Sequence, residues 1–408
     1  MVHCSRRTLL RAGGLTTAGA LAGCSVPFLG DGSTGGVHWS VTGGDASRTF
    51  SAAGASIPAS EPSVSWRAPL AGPFGQIVLA RGDRALAGTP AGVHAISLGD
   101  GSAPWTYEYA TQGGGSDFAL TDDGLVVRRF FPNSGVQPRR FGLSLEDGST
   151  TFERNGSYSR SALWAPTGAG LLGLSDAGTV SAFDPASGEW GDPLVSTDGE
   201  VWGTIADEQY LYTPVDRDGN WTVEAHALES GETRWTRSLP WDGSVSMLST
   251  GDRLVMTNVP ATGSAGAGAR GLDPDTGEVV WEFTWNDDSL LPWRGVAAGG
   301  TVFLLARPNT RDGSGTYRLA AVDADSGDVR WRVDTDMQFP FAVSEDRLVG
   351  TRVTTRFPAP GLVAIEGADG SEAWRLDPGE GVEPGIAVSG GVLAFLATGQ
   401  GRELVLLS

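Results

Sequence analysis

Lysine is absent from this 408-residue chain, and all 29 of its basic side chains are arginines. Against them stand 48 acidic side chains, so the formal net charge is −19. Nonspecific binding to nucleic acid needs clustered cations that neutralise phosphates, and a chain with this balance lacks such a surface. We therefore expect no nucleic-acid partner.

Cysteine and histidine are scarce as well. The two cysteines are Cys4 and Cys24, and the chain beyond them holds no thiol for a disulfide, a metal ion or a catalytic nucleophile. His38, His94 and His226 are scattered and form no H-E-x-x-H or His/Cys pattern, so we expect no zinc site. The sequence also has no phosphate-loop lysine and no G-x-S-x-G elbow, and we assign no catalytic residue.

The first 23 residues carry three arginines and no acidic residue. Residues 5–11 read SRRTLLR, in which Arg6 and Arg7 resemble the pair of a twin-arginine export signal. Residues 12–23 are apolar but fall short of the roughly 20 residues of a spanning helix, which favours a cleaved signal over a permanent membrane helix.

This segment ends in Leu-Ala-Gly-Cys24, which resembles a lipobox. In signals of that type the cysteine becomes the lipid-bearing first residue of the mature chain, so we expect attachment to the extracellular side of the cell membrane through Cys24. An ordinary secretory peptide in which Cys24 is incidental is the alternative. The N-terminal part then divides into a signal peptide at 1–23, a Gly/Ser-rich tether at 24–36 and a leader at 37–60.

Glycine is abundant, with 60 residues, and one glycine-containing motif recurs along the rest of the chain. The motif is a hydrophobic–acidic turn that ends in glycine and is followed by an aromatic residue, in most copies four positions later. Its glycines are Gly101, Gly148, Gly188, Gly231, Gly277, Gly327 and Gly370. Its aromatic residues are Trp105, Phe152, a displaced Trp190, Trp235, Trp281, Trp331 and Trp374. Successive glycines are 40 to 50 residues apart, a period typical of a solenoid or a propeller.

Short β-rich runs decide between these two architectures. Alternating runs such as 222–228 and 318–323 precede the turns, and about four strands in each repeat predict one blade of a β-propeller. A last set of strands follows Trp374 without a turn and tryptophan, whereas Trp66 has no preceding repeat, so the strand of Trp66 is predicted to complete the last blade. The expected fold is all-β, with an eight-bladed propeller at 61–408. Its four-stranded antiparallel blades are closed by pairing of N- and C-terminal strands, and seven blades are the alternative.

The repeat pattern D-x-x-(T/S)-G-x-x-x-W is similar to the tryptophan-docking repeat of pyrroloquinoline-quinone (PQQ)-like propellers. That superfamily includes the quinoprotein alcohol dehydrogenases and the outer-membrane assembly lipoprotein BamB, and residues 39–49 resemble the leader that precedes such propellers. The resemblance implies the fold. In its dehydrogenases it also implies a vicinal Cys–Cys disulfide against the quinone and a calcium ion held by acidic and amide side chains. This chain has no such cysteine pair and no local motif that matches the calcium ligands, so we expect neither PQQ nor calcium as a cofactor.

Two further patterns are candidate sites. Alternate acidic residues at 273–278 and 323–328 resemble fragments of a calcium loop, but they coincide with the repeat turn and lack the terminal bidentate glutamate, which favours turn chemistry and no metal. Asn155 and Asn220 each begin a sequon and are candidates for glycosylation on an exported surface.

These features favour a monomeric, non-enzymatic, lipid-anchored propeller that binds a protein or ligand partner through its rim or central funnel. The alternatives are an oxidoreductase with PQQ or another cofactor in the funnel, and a hydrolase or lyase that acts on surface polymers. The absence of lysine, the acidity and the twin-arginine signal together resemble surface proteins of haloarchaea, in which acidic surfaces stay soluble in high salt. We therefore interpret the acidity as an adaptation to solvent, which says little about the partner.

Overall fold

The computed structural model describes the chain in the following ranges: 37–39, 50–51, 55–71, 77–110, 114–121, 124–131, 138–155, 164–167, 170–174, 178–198, 200–201, 203–217, 220–239, 244–259, 268–287, 289–310, 315–352, 358–398 and 401–408. The predicted export and lipidation residues Arg6, Arg7 and Cys24 lie outside them. All secondary-structure elements within these ranges are β-strands. A helix long and apolar enough to cross a bilayer is therefore absent from the described residues.

The strands form eight antiparallel sheets, the blades of the fold. Two strands come first in the chain: β1 (Val37–Trp39) and β2 (Val64–Leu70). Blade 1 then contains β3 (Ile77–Gly82), β4 (Arg84–Gly88), β5 (Gly92–Ser97) and β6 (Trp105–Glu108), and blade 2 contains β7 (Gly115–Leu120), β8 (Leu125–Phe130), β9 (Arg139–Leu143) and β10 (Thr150–Asn155). Blade 3 contains β11 (Trp164–Thr167), β12 (Gly170–Leu174), β13 (Thr179–Asp184) and β14 (Glu189–Ser196).

Blade 4 has a divided first strand, β15 (Glu200–Val201) and β16 (Ile205–Ala206), followed by β17 (Tyr210–Arg217), β18 (Asn220–Ala227) and β19 (Thr233–Ser238). Blade 5 contains β20 (Ser244–Ser249), β21 (Leu254–Val259), β22 (Gly268–Leu272) and β23 (Val279–Thr284). Blade 6 contains β24 (Leu290–Ala298), β25 (Thr301–Pro308), β26 (Tyr317–Asp323) and β27 (Val329–Thr335). Blade 7 contains β28 (Met337–Val343), β29 (Arg347–Arg352), β30 (Leu362–Glu366) and β31 (Glu372–Leu376), and blade 8 contains β32 (Gly381–Val388), β33 (Gly391–Thr398) and β34 (Gly401–Leu407).

The blades close into a ring. The first strand of each blade contacts the first strands of its neighbours, and β3 of blade 1 contacts β32 of blade 8. The outer strand of blade 8 is β2, which pairs antiparallel with β34 and places Trp66 opposite Leu406. This pairing confirms the predicted eight blades and their closure by strands from both ends of the chain, an arrangement that leaves no blade incomplete.

The hydrophobic core lies between adjacent blades. Along β25, Val302 and Leu304 pack in the cluster shared with blade 5, whereas Phe303 and Leu305 pack in the cluster shared with blade 7. Successive side chains of a strand point to opposite faces of its sheet. These residues of β25 are therefore all apolar because both faces of the strand are covered.

The two ends of the ring carry different connections. The end that we call the repeat-turn face carries the turns between the first and second strands and between the third and fourth strands of each blade. The opposite end, the loop face, carries the connections between the second and third strands and those between blades.

The repeat turn explains its sequence. The Gly277 N–H donates to the Asp273 carbonyl oxygen at 2.8 Å, and the Asp273 carboxylate accepts the N–H groups of Asp275 and Thr276. The φ angles of the seven repeat glycines lie between +68° and +78°, a region that other residues adopt only at a cost. In this turn the Asp273 carboxylate accepts otherwise unpaired N–H groups, and the glycine supplies the left-handed conformation.

The repeat tryptophans join neighbouring blades. The ring of Trp235 lies so close to Gly277 of the next blade that a methyl group there would approach it to 2.5 Å, and its Nε1 donates to the carbonyl oxygen of Pro274 at 2.8 Å. The acceptor is the residue three positions before the turn glycine. Four other tryptophans make the same bond to the next blade over 2.9 to 3.1 Å: Trp66 to Leu98, Trp105 to Leu145, Trp281 to Ala324 and Trp331 to Gly367.

We call the contact between two neighbouring blades a seam, and two seams depart from this scheme. Phe152 packs on Gly188 without an N–H to donate, and the residue that faces Gly231 is Leu194, not Trp190 as the displaced aromatic suggested. Trp190 instead packs edge-on against Phe183 at 5.1 Å. The register of β14 shifts twice against β13, which explains why the sequence spacing of this copy misplaces its docking residue.

The leader supplies the docking position that blade 8 lacks. Because β2 precedes the other blade 8 strands in the chain, no repeat turn joins β34 to it. Trp374 of blade 7 donates its Nε1 to the carbonyl oxygen of Pro58 at 2.7 Å, and the adjacent Ile57 is buried in the same core cluster. Leader residues thus occupy the place of an eighth turn.

Candidate functional site

A β-bulge interrupts the inner strand of blade 6. The register of β24 against β25 shifts between Pro292 and Arg294, so Trp293 has no directly opposed residue. Proline lacks the backbone N–H that a strand paired on both sides would donate, so it is tolerated in an edge strand or at a bulge such as this one. Bulges re-aim the side chains around them. Here the bulge brings Trp293 and Arg294 next to the first strand of blade 7.

Five half-buried side chains form a continuous column along this wall, which we call the arginine–aromatic column. Starting from Arg307, the guanidinium carbon lies 4.4 Å from the centre of the Trp293 ring, and that ring meets Phe339 edge-on at 6.0 Å. The Arg294 guanidinium then lies 4.9 Å from the Phe339 ring and 5.0 Å from the ring of Phe50, a leader residue. The column therefore joins β25, β24, β28 and the leader.

Hydrogen-bond donors in the column lack acceptors. Within the described residues, Arg294 and Arg307 make contacts with aromatic rings but no hydrogen bond or ion pair, and the Trp293 Nε1 is buried without a partner. Burial lowers the pKa of Arg294 below its ordinary value, and no carboxylate opposes this effect. An arginine stays charged even so, and a partly desolvated cation without an anion is costly.

Other arginines near the loop face have carboxylate partners. Arg402 donates to Glu383 at 2.9 Å, and this pair is nearly fully buried. Further examples are Arg128 with Asp117, Arg217 with Asp198, Arg318 with Asp287 and Arg352 with Asp336. In contrast to these pairs, the described residues place no carboxylate against Arg294 or Arg307.

Such a cluster is chemically suited to an oxyanion. Guanidinium groups donate in a planar fork that matches carboxylate and phosphate oxygens, and charge-assisted bonds of this kind are about twice as strong as neutral ones. The indole N–H of Trp293 supplies a further donor. An oxyanion near Arg307 and Trp293 would supply an acceptor to donors that have none among the described residues, and the Arg294 guanidinium offers a further cation on the other side of the Phe339 ring.

A second arginine cluster lies inside blade 2. Two Arg-Arg doublets meet across β8 and β9, where Arg128 is opposite Arg140 and Arg129 is opposite Arg139. Three of the four are buried, and the Arg129 guanidinium lies 3.8 Å from the ring of Tyr109. Burial lowers the pKa of Arg129 and raises that of Tyr109 to about 12. Because these cations are enclosed between blades, we assign them to the interior and not to a ligand site.

The residues that the sequence marks as candidates lie elsewhere. Asn155 is exposed at the end of β10, and Asn220 is the first residue of β18. The buried His94 and His226 lie within hydrogen-bonding distance of Thr106 and Thr233 on the adjacent strands. In the described part of the chain, no three His, Cys, Asp or Glu side chains converge as a metal site.

Sequence patterns do not single out the column, because its members come from separate segments and belong to no repeat turn. The usable signal is weaker: Pro292 in a predicted inner strand indicates an edge or a bulge. The blade 2 doublets carry a stronger signal, since two Arg pairs flank a stretch with Pro, Asn, Ser and Gly, which predicts a hairpin with facing arginines.

Comparisons with known proteins agree with this architecture. A family model described as outer membrane protein assembly factor BamB matches residues 315–408. Similar structures include quinohemoprotein alcohol dehydrogenase from Comamonas testosteroni (TM-score 0.61, 14% identity, 91% of this chain and 80% of that chain) and BamB from Moraxella catarrhalis (TM-score 0.52, 16% identity, 83% and 92%). A europium-containing methanol dehydrogenase is also similar (TM-score 0.58, 12% identity, 92% and 98%). No curated protein sequence matches the chain significantly. These findings support a PQQ-like β-propeller, a fold that a BamB and alcohol dehydrogenases share.

Proposed function

We propose that the protein is a non-catalytic binding propeller that captures an anionic group of its partner at Arg294, Arg307 and Trp293. The observation that carries the proposal is the set of donors in the column that have no acceptor among the described residues. Buried or half-buried donors are normally satisfied, and donors left without an acceptor are expected where a ligand completes the bonding.

The net charge of −19 does not conflict with an anionic ligand. Repulsion from distant surface carboxylates is screened beyond about 8 Å at physiological ionic strength and beyond about 3 Å in 1 M salt. Contacts with half-buried guanidinium groups are screened much less. The site therefore favours a ligand that inserts its anionic group and pairs directly with the arginines.

Calorimetric titration with sodium phosphate, and separately with sodium malonate, tests this function at constant ionic strength held with sodium chloride. We expect wild-type protein to bind at least one of these oxyanions, and Arg294→Gln and Arg307→Gln each to weaken binding about tenfold or more, since charge-assisted hydrogen bonds contribute about 1.5–3 kcal/mol. Arg234→Gln is the control, because Arg234 is an exposed residue of blade 4 that already pairs with Glu232.

Two results would contradict the proposal. One is wild-type protein that binds neither oxyanion, or variants that lose affinity no more than Arg234→Gln does. The other is dye-linked alcohol oxidation after addition of PQQ and calcium, which would replace the non-catalytic role with that of an oxidoreductase.

We further propose that twin-arginine export and a lipid on Cys24 hold this propeller at the outer side of the cell membrane. The arrangement of Arg6, Arg7, the short apolar segment and Cys24 supports this placement. In the native host, Cys24→Ala should move the protein from the membrane fraction into the medium, and replacement of both arginines by lysine should retain it in the cytoplasm. Membrane retention of Cys24→Ala would rule out the lipid anchor.

A further inference from the structure

We infer that the leader completes the binding site and that Phe50 is a positioning residue for Arg294, so that leader docking and anion binding stabilise each other. The inference rests on the proposed function, because it concerns the same arginines. It adds a residue that no repeat motif contains and a coupling between the ligand and the N-terminal segment.

Phe50 occupies a costly conformation at this contact. Its φ angle is +61°, a left-handed conformation that is rare and strained for a residue other than glycine. Its carbonyl oxygen accepts the N–H of Val343 at the end of β28 over 2.9 Å, and its ring packs in the cluster between blades 6 and 7. The backbone is thus held so that the ring reaches Arg294.

The neighbouring leader residues are fixed on the same repeat-turn face. Ser56 donates its N–H to Val388 at the end of β32, and its hydroxyl accepts the N–H of Gly390 at 2.7 Å. Pro58 then accepts from Trp374. Phe50 is therefore presented by a segment that contacts blades 7 and 8, and its ring is not an isolated contact.

The coupling follows from the contacts of Arg294. A guanidinium without a hydrogen bond retains several side-chain rotamers, and the rings of Phe50 and Phe339 restrict them. Fixing the side chain in advance lowers the entropic cost of binding an anion. By linkage, an anion that fixes Arg294 must strengthen the docking of Phe50 by the same factor.

Trypsin cleaves after arginine and lysine, and Arg48 is the single arginine of segment 37–60, which has no lysine, so cleavage there reports the state of the leader. With full-length protein, sodium phosphate should slow the appearance of the fragment that ends at Arg48, and Arg294→Gln should abolish this slowing. Malonate replaces phosphate if calorimetry shows that malonate is the oxyanion bound.

Phe50 variants separate positioning from general stability. Phe50→Ala should weaken oxyanion binding about fivefold to tenfold, as expected for a partly desolvated cation–π contact, and should accelerate cleavage at Arg48. Phe50→Tyr keeps the ring and should restore both values. Thermal unfolding of each variant verifies that the propeller itself is intact.

The outcomes distinguish a failure of this inference from a failure of the proposed function on which it rests. If wild-type protein binds neither oxyanion, the proposed function fails and the coupling fails with it. If wild-type protein binds and Arg294→Gln does not, but Phe50→Ala binds as tightly as wild type and the ligand leaves cleavage at Arg48 unchanged, only the role of the leader is overturned.

Discussion

The indole Nε1 of Trp374 donates a 2.7 Å hydrogen bond to the carbonyl oxygen of Pro58, across the place where the two ends of the chain meet in the ring. In the other repeats of this kind the acceptor belongs to the turn of the following blade. The leader therefore has a structural role in closure that is independent of any ligand. Its contribution can be measured through Trp374 and Ile57, which share one core cluster.

Trp374→Phe removes this bond and should lower the free energy of unfolding by about 1 kcal/mol. Ile57→Ala should cost about 2–5 kcal/mol because it opens a cavity beside the indole. In a denaturation double-mutant cycle the two changes should couple by more than about 0.5 kcal/mol, since the residues share partners. The control pair is Trp331→Phe with Ile57→Ala, for which the coupling should be near zero; equal coupling in both cycles would contradict a closing role for the leader.

Phe152→Trp should strengthen the seam between blades 2 and 3. Phe152 already packs on Gly188, and the carbonyl oxygen of Pro185 lies three residues before that glycine, where the other seams place their acceptor. A new indole bond should add about 0.5–1.5 kcal/mol to the free energy of unfolding. The matched comparison is Trp105→Phe, which should lose a similar amount. Destabilisation by Phe152→Trp would show that this seam is too tight for the larger ring.

The ring, its eight blades and its closure could be predicted because each depends on a local pattern that is repeated. A positive-φ glycine marks every copy, and Trp66 without a preceding turn indicates the strand that closes the last blade. Leu194 could not be found in this way, since two register shifts in β14 break the spacing. The arginine–aromatic column was also beyond reach, because a bulge in one strand and packing against the next blade and the leader bring its members together, and no local pattern records these contacts.

Gly277→Ala should be more destabilising than Gly379→Ala, although both positions have similar positive φ angles of +68° and +73°. In each variant the left-handed conformation of the alanine should lower the free energy of unfolding by about 1–2 kcal/mol. At Gly277 the new methyl group would also meet the Trp235 ring at 2.5 Å, which adds about 1–3 kcal/mol of overpacking, whereas no atom lies within 4 Å at Gly379. Chemical denaturation of the two variants measures the difference; equal losses would mean that Trp235 moves aside freely.

The repeat turns should make the propeller sensitive to acid. The Arg330 guanidinium, followed by the turn N–H groups, lowers the pKa of Asp323 to about 2, and serine partners lower the pKa of Asp147 and Asp369 in other turns.

A carboxylate whose pKa is lower in the folded state stabilises the fold above its unfolded pKa, and this contribution is lost as the pH falls toward the folded value. The free energy of unfolding should therefore decline between about pH 4 and about pH 2. Asp323→Asn should flatten part of this slope, and Arg330→Gln should do the same because it removes the main cause of the low pKa. A wild-type slope in both variants, measured by denaturant unfolding at each pH, would show that the turn carboxylates do not control acid stability.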